Sequence, residues 1–192
     1  MYAITGISGK VGGELARTLL DADQAIRAVV RNAGKGETWA ALGCDVALAE
    51  MEDAAALTAA FAGASAVFIL PPSEFDPEPG YPRARKVIDA VVEAQTAAKP
   101  DKVLCLSTVG ADAVHDNLLS QCTMMEKALS ALPLPVTFLR PGCVLGNSAW
   151  DVASARETRV IASFLMPLDK PFPMVAAKDV GRVAAKLIQE EC

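Results

Sequence analysis

Apolar positions along this chain fall into two alternating rhythms. Short β-branched runs, "MYAIT", "AIRAVVRN", "CDVALAE", "ASAVFIL", "KVLCLST" and "PVTFLRPG", read as six strands. Helical spacing fills the intervals. Val11, Leu15 and Leu19 recur every four residues, the stripe of a helix lying on a sheet. "KGETWAALG" predicts a short helix closed by Gly43. "MEDAAALTAAFAG" predicts a third helix, with Asp53 in its first turn and Gly63 past its end. Val87, Ile88, Val91 and Val92 mark a fourth, and Leu118, Leu119, Cys122, Met125 and Leu129 a fifth. From Asn147 onward the pattern weakens to a helix around Ser154–Leu165, a proline-bounded link and a closing helix from Asp179 to about Gln189. Such alternation predicts an α/β fold, a doubly wound parallel sheet with helices on both faces, because parallel neighbours need crossover connections. Residues 1–192 read as one domain.

Composition narrows the function. With 52% hydrophobic residues, 21% charged and a net charge of −5, the chain resembles a soluble protein and lacks the basic tract of a nucleic-acid surface. The uncharged stretch Ala54–Ser73 is broken by Thr58, Gly63, Ser65, Pro71 and Pro72, so it predicts helix, turn and strand, not a membrane span. No secretory signal opens the chain, and a cytoplasmic location is expected. Five scattered cysteines, Cys44, Cys105, Cys122, Cys143 and Cys192, and the single His115 give no metal-ligand spacing. Most of these thiols read as small buried hydrophobes.

The informative stretch is "AITGISGKVGGEL". Gly6, Gly9 and Gly12 lie between the first strand and the first helix, where a doubly wound fold places its phosphate-binding turn. The first glycine allows a sharp turn, the second a close approach of backbone to pyrophosphate, and the third tight packing of helix on strand. Amides at the helix N-terminus then face the anion. The expected cofactor-binding run is Gly6, Ile7, Ser8, Gly9, Lys10 and Val11. At the end of the second strand, where an NAD-binding chain carries Asp or Glu, this one carries Arg31, with Lys35 close behind. A guanidinium pairs with a 2′-phosphate, so NADP(H) is expected over NAD(H). The alternative for Arg31 is a solvated charge at a strand end.

These motifs, with "EDAAALTAAFAG", "LCLSTVGAD", "MEKAL", "VTFLRPG" and "MVAAKDVGRVAA", resemble the NmrA-like atypical short-chain dehydrogenase/reductases, a group that includes NADPH-dependent quinone reductases. The resemblance implies further cofactor contacts at the ends of strands four, five and six: Leu70, Pro71 and Pro72, then Ser107, then Arg140, Pro141 and Gly142. It also implies an oxidoreductase that passes hydride from NADPH to a quinone or similar small electrophile. Two departures stand out. Members of the wider superfamily carry a Tyr-x-x-x-Lys pair eight and four residues before a Glu. Counted back from Glu126, those slots hold Leu118 and Cys122. Neither protonates a carbonyl at neutral pH, so alcohol–ketone chemistry by the usual route is not expected. Quinone-reducing relatives also lack this Tyr. The second departure is length: relatives continue into a lobe over the substrate site, which makes residues 147–192 a shortened C-terminal substrate-side region. Either the pocket is open, a partner subunit covers it as in a homodimer, or the function needs no closed pocket.

Thr108 and His115 are the candidate catalytic side chains. Thr108 stands where the superfamily places a hydroxyl near substrate, with a self-satisfied strand end as its alternative. His115 lies in the loop after strand five, as proton donor or substrate contact, or simply at the surface. Glu74, Asp76 and Glu78 read as a solvated loop face. The competing function is a non-catalytic NADP(H) sensor that reports redox state to a partner protein.

Overall fold

The computed structural model describes residues 1–163 and 165–190. The six expected strands form one parallel sheet: β1 (Tyr2–Thr5), β2 (Ile26–Val30), β3 (Asp45–Leu48), β4 (Ala66–Ile69), β5 (Lys102–Leu106) and β6 (Val136–Leu139). Their order, β3-β2-β1-β4-β5-β6, reverses between β1 and β4, as in a doubly wound dinucleotide fold.

The helices are α1 (Lys10–Leu20), α2 (Ala33–Ala40), α3 (Ala54–Phe61), α4 (Pro82–Ala98), α5 (Ser120–Ser130), α6 (Asp151–Thr158) and α7 (Ala177–Gln189). Alternation along each strand divides the core in two. Ala3, Val67, Ile69, Val103 and Cys105 pack with Leu57, Phe61, Val91, Met125 and Leu129 from α3, α4 and α5. Ile4, Phe68 and Leu104 pack with Val11, Leu15, Trp39, Val180 and Ala184 from α1, α2 and α7. Helices therefore cover both faces, and each fully buried Leu, Ile or Phe contributes about 1.5–3 kcal/mol. No helix of the described residues is long and apolar enough to cross a membrane.

The structure corrects several expected elements. Asp53 precedes α3 as its cap, its carboxylate accepting from the Ala56 amide at 2.9 Å. Leu118 and Leu119 fall outside α5. The Asn117 side chain accepts from the Leu119 amide, and the Ser120 hydroxyl accepts from the Asn117 amide, so local side-chain bonds hold a turn in place of helix. The helix expected at Ser154–Leu165 is present over Ser154–Thr158 but lies earlier in the chain: a 3-10 turn (Leu145–Trp150) runs into α6, which ends with Arg159 left-handed at φ 58°. Phe164, within that expectation, lies outside the described residues. A two-stranded parallel pair, β7 (Cys143–Val144) with β8 (Met174–Val175), was not anticipated.

Candidate dinucleotide-binding site

The C-terminal ends of β1, β2, β4, β5 and β6 lie along one edge of the parallel sheet, and Gly6, Arg31, Leu70, Ser107 and Arg140 follow at or just past them. Gly6 takes φ +63°, and a Cβ on it would sit 2.9 Å from the Leu70 Cβ. Its carbonyl accepts from the Gly9 amide at 2.9 Å, closing the turn. At Gly12 a Cβ would meet the Gly6 carbonyl at 2.5 Å, so only glycine lets α1 start this close to the turn. Thr5, buried beneath, staples β1 to β4: its hydroxyl donates to the Phe68 carbonyl at 3.1 Å and accepts from the Leu70 amide at 2.8 Å.

The N-terminus of α1 has no side-chain cap and no acidic residue in its first turn. Its leading amides find no acceptor within the helix. Ser8, Gly9 and Lys10 are exposed, whereas the side chains of Ile7 and Val11 are buried in the core, leaving only their backbone to the turn. Uncapped amides, a partial positive charge and an exposed lysine fit a pyrophosphate. The Lys10 ammonium donates to the Gly146 carbonyl at 3.2 Å, linking the turn to the 3-10 segment.

Arg31 and Lys35 are exposed at the end of β2 and in the first turn of α2. Among the described residues no carboxylate pairs with Arg31. Asn32 caps α2 by accepting from the Lys35 amide at 3.0 Å. Two cations without a carboxylate between them fit a 2′-phosphate.

The other half of the edge is more tightly bonded. Ser107 is buried, and its hydroxyl donates to Glu126 on α5. Arg140 reaches the same carboxylate with two donors, Nε at 2.8 Å and Nη2, and lies 3.5 Å from Asp112. Arg140 is therefore already paired, and Glu126 ties β5, α5 and β6 together. Hydrogen bonding from Arg140 holds the Glu126 carboxyl below its ordinary value against the opposing effect of burial, with Ser107 adding to the lowering. In the sequence Glu126 stands out only as the Glu from which the Leu118 and Cys122 slots are counted. The available signal was a carboxylate beside Met125 on the stripe that faces the core.

Leu70 and Pro71 are half-buried and Pro72 is exposed. Pro141 and Gly142 are half-buried, and the Pro173 carbonyl passes 2.5 Å from where a Gly142 Cβ would stand. Thr108 donates to the Val109 carbonyl at 3.2 Å, and His115 is exposed. Leu118, in the slot of the missing tyrosine, is exposed ahead of α5. Cys122 is half-buried, its thiol pushed up by burial and then by the Glu126 charge. Cys105 rises for the same first reason, and Cys44 by burial alone. Cys44 and Cys105 are buried, Cys143 is half-buried, and Cys192 lies outside the described residues.

The rim is strapped across. Gln121 donates to the Glu74 carbonyl at 2.7 Å, and Phe75 meets Trp150 edge-on at 5.6 Å. Glu74 is half-buried, while Asp76 and Glu78 are exposed. The space behind Pro71, Pro72 and Gln121, about 20 Å³, has room for about one water molecule. A wider open hollow of about 610 Å³ lies along Asp112, Val114, Thr123, Glu126, Lys127 and Arg140.

Known proteins match along the whole described fold. Quinone oxidoreductase 2 of Escherichia coli is 30% identical over 192 residues, covering 99% of this chain and 64% of its own. NAD(P)H azoreductase of Xenophilus azovorans is 25% identical, covering 98% and 63%. The chain thus spans just under two thirds of these curated relatives. The crystal structure of an NADPH-dependent quinone oxidoreductase from Escherichia coli, complexed with NADPH, superposes with a TM-score of 0.79 at 27% identity, over 100% of this chain and 66% of that one. These likenesses fit the expected atypical short-chain dehydrogenase/reductase. The NAD(P)H-binding family matches residues 6–191, and the chain belongs to that family.

Proposed function

We propose that this chain binds NADP(H) in preference to NAD(H) and forms the cofactor-side portion of a reductase for quinones or similar small electrophiles. The observation that carries the reading is the uncapped glycine turn at the same sheet edge as the unpaired Arg31. The turn from Gly6 to Val11 holds the pyrophosphate through the amides left free once Gly9 has donated to the Gly6 carbonyl, and Arg31 with Lys35 holds the 2′-phosphate. Leu70, Pro71 and Pro72 wall the middle of the cleft. Ser107, Pro141 and Gly142 line the second half, with Arg140 fixed by Glu126. Bound NADPH supplies hydride. Thr108 and His115 are the side chains left to touch an acceptor.

Leu118 and Cys122 provide no acid at the usual slots. An acceptor whose reduced oxygens take protons from water needs no acid at those slots, which favours quinones. The similarity to quinone oxidoreductase 2 and NAD(P)H azoreductase supports a reductase of small electrophiles. The same missing acid also supports a second reading, a non-catalytic NADP(H) sensor.

Stopped-flow mixing with a panel of benzoquinones and naphthoquinones separates the two. The reductase reading expects NADPH absorbance to fall well above the protein-free rate, and Arg31→Ala to weaken NADPH tenfold to a hundredfold while leaving NADH nearly unchanged. Cofactor binding without accelerated decay would leave the sensor reading standing. Equal affinity for NADPH and NADH in the wild type would refute the 2′-phosphate assignment.

A further inference from the structure

The Glu126 carboxylate receives three donors: the Ser107 hydroxyl and two nitrogens of Arg140. An ionised carboxylate only accepts, so the proton in the Ser107 contact belongs to Ser107. A hydroxyl has one proton. With that proton committed, the rest of Ser107 Oγ offers lone pairs alone. Glu126 is itself buried and held on its other side by Arg140, so the arrangement is fixed. An ordinary surface serine rotates to donate or accept as its partner requires; this one does not.

Ser107 stands at the end of β5, in the half of the sheet opposite Arg31. A doubly wound fold lays one mononucleotide over each half. Arg31 marks the 2′-phosphate half under the reading above, which leaves the nicotinamide to the β4–β6 half. The carboxamide of that ring has a donating NH₂ end and an accepting carbonyl end. A rotating hydroxyl would accept from the first or donate to the second, so the carboxamide could present either end.

From this geometry we infer that Glu126 fixes Ser107 as a hydrogen-bond acceptor, and that Ser107 thereby selects the N–H end of the nicotinamide carboxamide. Glu126 is a positioning residue in this scheme, acting through Ser107. The inference rests on the NADP(H) reading, and its test needs no turnover.

The probe pair is NADP⁺ and its 3-acetylpyridine analogue, in which a methyl replaces the NH₂. Dissociation constants of both are measured by calorimetry on wild type, Ser107→Ala and Glu126→Gln. Wild type should bind NADP⁺ about fivefold to tenfold more tightly than the analogue, the worth of one neutral hydrogen bond. Ser107→Ala should bring the two to near parity. In Glu126→Gln the partner amide also donates, Ser107 regains its freedom, and the ratio should fall below about twofold even as both affinities drop. A merely structural Glu126 would weaken both ligands equally and leave the wild-type ratio in place, which overturns its positioning role. Equal wild-type affinities, or a preference that survives in Ser107→Ala, would overturn the carboxamide contact while leaving NADP(H) binding intact. Failure of wild type to bind either nucleotide would instead overturn the cofactor reading, and this inference with it.

Discussion

Among single residues, Glu126 carries the clearest pH signature. Its folded-state pKa is lowered, chiefly by Arg140, below the ordinary 4.5. A lowered carboxyl contributes stability that is fully present above the unfolded value and is lost as pH falls through the folded one. Wild type should therefore exceed Glu126→Gln in urea stability at pH 7, and the gap should narrow as pH drops below about 4.5. Other carboxylates titrate in both proteins and cancel in the difference. A gap that stays constant down to pH 3 would show that the ion pair contributes nothing. Exposed Arg31 and the glycine turn could be read from sequence because their chemistry depends on local spacing. Glu126 could not: its partners Ser107 and Arg140 lie 19 and 14 residues away, and only the parallel pairing of β5 with β6 brings them to one carboxylate.

At the scale of elements, α7 is held by a lysine on the neighbouring sheet. Buried Lys102, at the start of β5, donates to the Leu187 and Glu190 carbonyls at 2.7 and 3.0 Å, filling acceptors that a helix end leaves open. Lys102→Met keeps the apolar stem and removes both bonds. The expected cost is about 1–3 kcal/mol in denaturant unfolding, with faster amide exchange confined to the last turn of α7. Unchanged stability together with unchanged exchange would remove Lys102 from the account. Helices with an apolar stripe, α1 and α7 above all, were readable from periodicity. The bounds of α6 are not, since "DVASARET" presents no stripe and none of its residues is fully buried. The start of α5 is hidden from periodicity because Asn117 and Ser120 satisfy the backbone locally. The β7–β8 pair is two residues per strand, too short for any period.

For the whole molecule, strand order decides what the edge can do. Reversal between β1 and β4 opens a crevice beside the glycine turn, with Arg31 on one flank and Ser107 on the other. The regular alternation of strands and helices was enough to read this architecture, because parallel sheets with short strands admit few connections. The acceptor's wall could not be read the same way, since it depends on how loops such as Phe75 against Trp150 meet across the rim. The central claim is that backbone amides at the start of α1 bind a diphosphate. Amide-resolved NMR during NADP⁺ titration tests it most directly. The largest shifts should fall on the amides of Ser8, Lys10 and Val11, saturating together with the Arg31 side-chain signal. Saturable binding that leaves those amides unmoved, with its shifts centred elsewhere, would contradict the account.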